Sequence, residues 1–529
     1  MVTVRQIILS LISSQLPPPE IPSNVALNLP NGDSKSIAIV GAGVAGLSML
    51  KTLLDLPEQQ RTTWDIVVFE ERANIGGIWL PEPSPKPPPE IPETPLYPLL
   101  HTNTPIPMMT YPGLPFPKGT HLFPSHEHVL AYITHYSDRF NLAPHIQFNQ
   151  HVLSASWHGS STQGNWNVTY SNQHNATQSR LFDHLIVASG SLHIPRIPHW
   201  RGEREWLAKN LSPQRELMHS IWYRDPSKYR GKSVLIVGDS ASGRDIASQL
   251  APIVRKLYIS IRGNTNKDDS HGPLPPNAIR MPGISHFTAD LVVFVNDSAI
   301  EVDTVLLATG YEMRKPFLDA GGVLTTDPTA RSNASYSKAL VSNTRYIFPL
   351  YKHIFSLSPS YPPNALAFIG LLSGIPNCPA DLAQSLIVAH AIRDPSVLPS
   401  RKRMLQELAT QEQELRNENF DPYTIGHLMV DGKRASDYQD DLVDYLKDKG
   451  VIADDGHKFV DKWRREIFTY RYLKRGWKRI EALGVGDEWT RDVEREEEWA
   501  ELMEKVNSWQ EEYEGRQDIE DSVLVQYNI

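Results

Sequence analysis

The sequence predicts an α/β fold with two Rossmann-like dinucleotide-binding domains and a helical C-terminal extension. Three observations predict it. Two glycine-rich turns, at 41–46 and 238–243, each stand between a short apolar strand and a helix. A further apolar strand follows at 302–308. Beyond Pro395 the pattern changes to long charged helices, as in 494–514, read as solvated helical surface.

At 529 residues the chain is long for a single core, so two or three domains are expected. A hydrophobic content of 40% with 21% charge fits a globular protein. The net charge of -9, with no basic stripe, argues against a nucleic-acid partner. Cys378 is the one cysteine, which excludes an internal disulfide, a CxxC redox pair and a cysteine-rich metal centre. A thiol–disulfide reductase goes with them. No apolar run reaches membrane-span length, and the stretch 7–12 is short for a signal segment, so a cytoplasmic location is expected.

Taken in order, 17–35 reads as a Pro/Asn/Ser-rich leader into the first strand, Ser36 to Val40. Then come Gly41, Gly43 and Gly46 and a helix from Leu47. Gly41 permits the tight turn, Gly43 lets backbone approach a pyrophosphate, and Gly46 lets helix and strand pack closely. The diphosphate then rests on the free N–H groups of the helix N-terminus. Glu70 ends the second strand, Ile66 to Phe69, placed to accept hydrogen bonds from a ribose diol. An acid there repels a 2′-phosphate, which suits FAD or NAD better than NADPH.

Gly76 and Gly77 give backbone that a flat ring or diphosphate can approach, with Trp79 just beyond. The proline-dense segment 81–98 reads as a surface insertion. Apolar spacing predicts a helix at 126–140, then strands around Val152 and Val168. In the second unit, Ser240 replaces the middle glycine. The hydroxyls of Ser240 and Ser242 offer donors to phosphate oxygens between Gly238 and Gly243. Arg262 stands where the first unit has its acid; a guanidinium there suits a 2′-phosphate and favours NADPH. Asp437, Asp440 and Asp441 lie close together, and a solvated helix start is preferred over a cation site.

At this point the chain resembles the class B flavin-containing monooxygenases, from about Ser36 to Pro399. Glu70 to Trp79 resembles the family's E-R…G-G-x-W signature, and His101-Thr102-Asn103-Thr-Pro105 its T-N-x-P segment. Tyr111 to Pro117 is similar to D-F-P-F-P, with Gly113 and Leu114 in place of its Asp and Phe. Val187-Ala-Ser-Gly190 with His193 and Pro195, the A-T-G-Y stretch Ala308 to Tyr311, and Phe368-Ile-Gly370 also match family segments. Met218 to Arg224 resembles the second half of the family identifier; Pro213 and Arg215 replace its Phe and Gly. A tryptophan at position 223 would favour a Baeyer–Villiger enzyme. Tyr223 is there instead, with Trp222 one place early.

The resemblance implies an FAD domain in two parts, 36–212 and 313–395, an inserted NADPH domain at 213–312, and a helical region at 396–529. It implies FAD contacts at Gly41, Gly43, Gly46, Glu70, Gly77, Trp79, Thr102, Asn103 and Val152. NADPH contacts are implied at Gly238, Ser240, Ser242, Gly243 and Arg262. His219 is implied to orient domains and not to act as acid or base. In the implied reaction NADPH reduces FAD, O2 adds at flavin C4a, and the hydroperoxide, shielded from water by the bound nicotinamide, gives one oxygen atom to a small-molecule substrate. A soft nucleophile, nitrogen or sulfur, is the expected acceptor. Asn103 is the catalytic candidate, because its amide can donate and accept at once. Baeyer–Villiger oxygenation of a ketone, which requires a cationic group beside the flavin, and an uncoupled NADPH oxidase stay open. So does homo-oligomerisation. No metal site is expected.

Overall fold

The computed structural model describes residues 34–209, 214–262, 275, 277–331 and 339–526; most of the expected leader and Pro213 lie outside them. Lys35–Val40 (β1) runs into Val44–Leu54 (α1), followed by Trp64–Phe69 (β2). His126–Arg139 (α2), Ile146–Gln147 (β3), a three-stranded antiparallel meander (Gln150–Gly159, Gly164–Asn172, Thr177–Phe182) and His184–Val187 (β4) come next. A second unit holds Glu216–His219 (β5), Ser233–Val237 (β6), Ala241–Leu250 (α3), Lys256–Ser260 (β7), Ala278–Met281 (β8) and Thr304–Leu307 (β9). The chain then returns through Leu350–Tyr351 (β10), Phe355–Ser356 (β11), Leu366–Phe368 (β12) and Asn377–Arg393 (α4).

The first sheet has the order β10-β11-β12-β4-β1-β2-β3 and the second β8-β7-β6-β9-β5. In the first, β12 pairs with β4 in parallel, so strands from beyond the second unit complete the first sheet. The second domain is therefore an insertion in the first. Ile37, Ala38 and Ile39 of β1 are buried on both faces, which is why the strand reads as a continuous apolar run. In each sheet the strand order reverses beside the strand that carries the glycine turn, β1 or β6. A crevice at the carboxyl ends of the strands follows there.

The α4 helix is buried from Cys378 to Ile392, apolar nearly all round, and packs against α1. The C-terminal helices Arg401–Asn417 (α5), Gly432–Asp448 (α6), Leu473–Ala482 (α7) and Glu496–Gln526 (α8) are more than a solvated surface. Leu442, Leu446, Trp477, Ile480, Met503 and Val506 belong to the same apolar cluster as Ile37 and Leu50. Their charge lies on outward faces of amphipathic helices. The acidic trio lies within α6 and not at its start. Arg465 bridges Asp437 and Asp440, and Asp440 accepts the Val460 N–H at 2.8 Å. An ion-pair network, in place of a solvated helix start, explains the cluster; no metal-binding group occurs among the described residues.

Candidate active site

The first glycine turn is held too tightly for a side chain at Gly41 or Gly46. Gly41 has φ +104, donates its N–H to the Phe69 carbonyl at 2.8 Å, and a Cβ on it would lie 2.7 Å from the Ala188 oxygen. A Cβ on Gly46 would lie 1.9 Å from the Gly41 oxygen. Gly43 caps α1 and faces Gly77, where a Cβ would meet the Gly77 Cα at 3.5 Å. The two glycine segments thus close on each other in backbone-to-backbone contact. Arg72 pins the second of them, donating from Nη1 to the carbonyls of Gly77 (3.1 Å) and Leu80 (2.8 Å). The sequence reading assigned Arg72 no task beyond its place in the signature.

Glu70 is buried, with one carboxylate oxygen accepting the Ala42 N–H at 2.7 Å and the other the Arg72 N–H at 2.9 Å. Burial raises its carboxyl above the usual range, and the two amides oppose that rise. Each oxygen keeps a lone pair for a further donor, so a ribose diol still finds acceptors there. Val152 follows Gln150 by two residues, and Gln150 donates its N–H to the Glu70 carbonyl at 2.9 Å. Its side chain is in the core cluster with Phe69 and Tyr170 and is not part of the wall of the cavity beside the α1 N-terminus.

A cavity opens beside the α1 N-terminus, with Val44, Trp79, Thr102, Asn103, Asn377 and Cys378 in its wall. It gathers Trp79, Thr102 and Asn103 with Asn377 and Cys378, which lie far away in sequence. Thr102 is buried and its Oγ1 has no hydrogen-bond partner among the described residues. Asn103 is exposed, and its amide makes no hydrogen bond among the described residues, so it is not spent on the turn before Pro105. The Tyr111 to Pro117 segment backs the cavity with stacked rings, Phe116 on Tyr132 at 4.1 Å and Tyr111 on Tyr136 at 4.0 Å. Tyr111 also donates its hydroxyl to the Val44 carbonyl at 2.8 Å, tying that wall to the first turn of α1. Burial pushes the Cys378 thiol well up, which leaves it protonated and no nucleophile. None of the lining residues is charged.

The second turn repeats the geometry. Gly238 has φ +112 and a Cβ on it would lie 2.4 Å from the Ala308 oxygen; a Cβ on Gly243 would lie 2.1 Å from the Gly238 oxygen. Ser240 caps α3 and is exposed, and Ser242 stands in its first turn. Arg244 neutralises Asp239 through a 2.7 Å contact, which relieves that acid's repulsion of a phosphate. Arg262 is exposed just past β7, its Cγ 3.9 Å from the place a Cβ on Gly283 would take.

The two units are tied by an isolated antiparallel bridge between Pro195 and Tyr311. Arg196 donates its N–H to Gly310 (2.9 Å) and Ile194 accepts from Glu312 (2.8 Å). His219 is fully buried: its Nδ1 accepts the Ile221 N–H at 3.1 Å and its Nε2–H donates to Gly310 at 3.0 Å. Both nitrogens are occupied, so the ring is neutral and burial lowers it to about 4. The end of the proline-rich segment also serves here, contrary to the expectation of a surface insertion. Thr94, Leu96 and Tyr97 are buried, Trp222 and Arg224 donate to the carbonyls of Glu90 and Thr94, and Tyr97 donates to Asp245 at 2.6 Å. Aromatic burial against Tyr223 outweighs the segment's proline content.

A family model described as flavin-binding monooxygenase-like matches residues 34–266. Senecionine N-oxygenase of Tyria jacobaeae is 29% identical over 409 residues, 75% of this chain and 80% of its own length. Flavin-containing monooxygenase FMO GS-OX-like 2 of Arabidopsis thaliana is 28% identical over 508 residues, 90% of this chain and 96% of its own. The structure of S-allyl-L-cysteine S-oxygenase from Allium sativum superposes with a TM-score of 0.69 at 24% identity, over 90% of this chain and all of that one. That likeness is one of fold.

Proposed function

Because the chain belongs to the flavin-binding monooxygenase-like family, and is an oxidoreductase using FAD and NADPH, we propose that it oxygenates nitrogen or sulfur in a small organic substrate. FAD is assigned to the first glycine turn, with its diphosphate at the α1 N-terminus beside the paired Gly43 and Gly77 and its ribose on Glu70. NADPH is assigned to the second, with Ser240 and Ser242 toward the diphosphate and Arg262 toward the 2′-phosphate. The residues present fit both groups: in each turn strand and helix backbone pack too closely for any side chain at the first and third glycines, which leaves the helix N-terminus bare, and beside the first turn the Thr102 hydroxyl has no partner among the described residues.

When bound, the reduced flavin activates O2 and supplies one oxygen atom in electrophilic form. The chain's own work is to position, desolvate and hold protons still. Val44, Trp79 and the ring stack keep water from the reacting centre. Asn103 presents its amide at the cavity edge as donor and acceptor. The Cys378 thiol, pushed well up by burial, and the amides of Asn103 and Asn377 carry no charge there.

One observation carries the choice of nucleophile: the cavity wall holds no charged side chain. Ketone oxygenation needs a cation beside the flavin, and fold does not decide the matter, because cyclohexanone monooxygenase shares it at a TM-score of 0.52. The N-oxygenase among the relatives supports the same reading. Product analysis with a tertiary amine, a thioether and a cyclic ketone tests it. Amine oxide or sulfoxide is expected. Lactone as the main product overturns the reading, and peroxide alone makes the chain an oxidase.

A further inference from the structure

Asp381 stands one turn into α4, three residues after Cys378 and so on the same helix face as that cavity-lining thiol. It is 4% exposed, and no residue among those described hydrogen-bonds its carboxyl. Three segments converge on it. A Cβ placed on Gly370 (φ +75) would lie 3.4 Å from Asp381 Oδ1 and 2.9 Å from the Ala45 Cβ. Ala45 follows the cavity residue Val44 and is two places past the diphosphate-facing Gly43. The carboxyl therefore sits at the junction of the diphosphate cradle and the ring cavity, where the chain joining those two parts of FAD must cross.

We propose that Asp381 is a flavin-contacting residue whose carboxyl hydrogen-bonds a hydroxyl of the ribityl chain. The inference rests on the assignment of FAD to the first cradle. Its chemistry is that of a neutral acid. The titratable groups facing it are Cys378 on its own helix, Tyr111 and Tyr438, none of them a cation. Burial accordingly pushes Asp381 up to about 8. A protonated carboxyl both donates and accepts, which matches a sugar-alcohol hydroxyl. The described residues give the carboxyl no partner, and a bound hydroxyl supplies one.

The test uses FAD and FAD analogues each lacking one ribityl hydroxyl, titrated into apoprotein and followed by flavin fluorescence. The native chain should bind one analogue about tenfold more weakly than FAD, the scale of one hydrogen bond to a buried group. Asp381→Ala should bind FAD about tenfold more weakly and lose that discrimination. Asp381→Asn, nearly isosteric, keeps a donor and an acceptor; it should lose less and show FAD binding flat from pH 7 to pH 9. In the native chain FAD affinity should fall through about pH 8, because ionisation beside a diphosphate is disfavoured. If Asp381→Ala does not fold, the Asn variant's pH profile decides alone. Unchanged discrimination in Asp381→Ala, or a pH profile in Asp381→Asn identical to the native one, overturns the proposal while leaving the cradle intact. Failure of the native chain to bind FAD overturns both.

Discussion

Tyr97 donates its hydroxyl to Asp245 at 2.6 Å, joining the arm that leads to Thr102 and Asn103 with the helix behind the second glycine turn. Gln249, one turn further along that helix, donates to Leu99 on the same arm at 3.3 Å. Burial and the neighbouring carboxylate push the Tyr97 phenol far up, so it stays a donor throughout the working pH range. The bond ties the segment that leads to the cavity to the helix of the second glycine turn. Tyr97→Phe should cost about 1.5–3 kcal/mol, the scale of a hydrogen bond to a charged group. It should slow flavin reduction by NADPH while FAD affinity holds. Anaerobic stopped-flow reduction beside FAD titration checks this, and equal rates in both proteins would make the bond incidental.

Arg262→Ala removes the guanidinium assigned to the 2′-phosphate. The KM for NADPH should rise by the equivalent of about 1–3 kcal/mol, and that for NADH much less. Steady-state kinetics with both coenzymes decides it; equal losses would take Arg262 out of the phosphate site.

Asn103→Ala should leave FAD bound and raise the peroxide released per NADPH consumed, because the amide at the cavity edge is lost. Coupled oxygen-electrode and peroxide assays measure the ratio. Unaltered coupling would reduce Asn103 to a turn residue.

Gly46→Val places a side chain where even a Cβ would lie 1.9 Å from the Gly41 oxygen. The turn must shift, so purified protein should be depleted of flavin. A yellow, stoichiometric holoprotein would contradict the cradle.

Acid stability should follow the buried histidines. His219, His184, His353 and His390 are each lowered from 6.5 to about 4 by burial. Between those values the unfolded chain binds more protons than the folded one. Their contribution is therefore full above about pH 6.5 and is lost as pH falls toward 4. For the fully buried His219 that is about 3 kcal/mol, at 1.36 kcal/mol per pH unit. Denaturant unfolding from pH 7 to pH 4 should show a falling midpoint, with a slope shallower by up to one proton in His219→Gln. Parallel slopes would mean that His219 is protonated in the fold.

Local rules made much of this chain legible. Gly41, Gly46 and Glu70 are dictated by short-range sterics within one strand–turn–helix unit, and so are Gly238 and Gly243. The apolar run of β1 likewise announces a strand buried on both faces. The bridging role of 94–97 was not legible, because proline density describes backbone stiffness and says nothing of what Tyr97 packs against. Charge obscured the C-terminal helices in the same way: composition hides that Trp477 and Met503 complete the core under α1.

The sequence by itself determined that two glycine turns stand between strand and helix, because glycine sterics act within a few residues of where they stand. Only the tertiary structure decided that Thr102, Trp79 and Cys378 share one uncharged cavity and that Asp381 reaches Gly370 and Ala45. Those meetings depend on helix and sheet packing between segments hundreds of residues apart, and no local spacing encodes them.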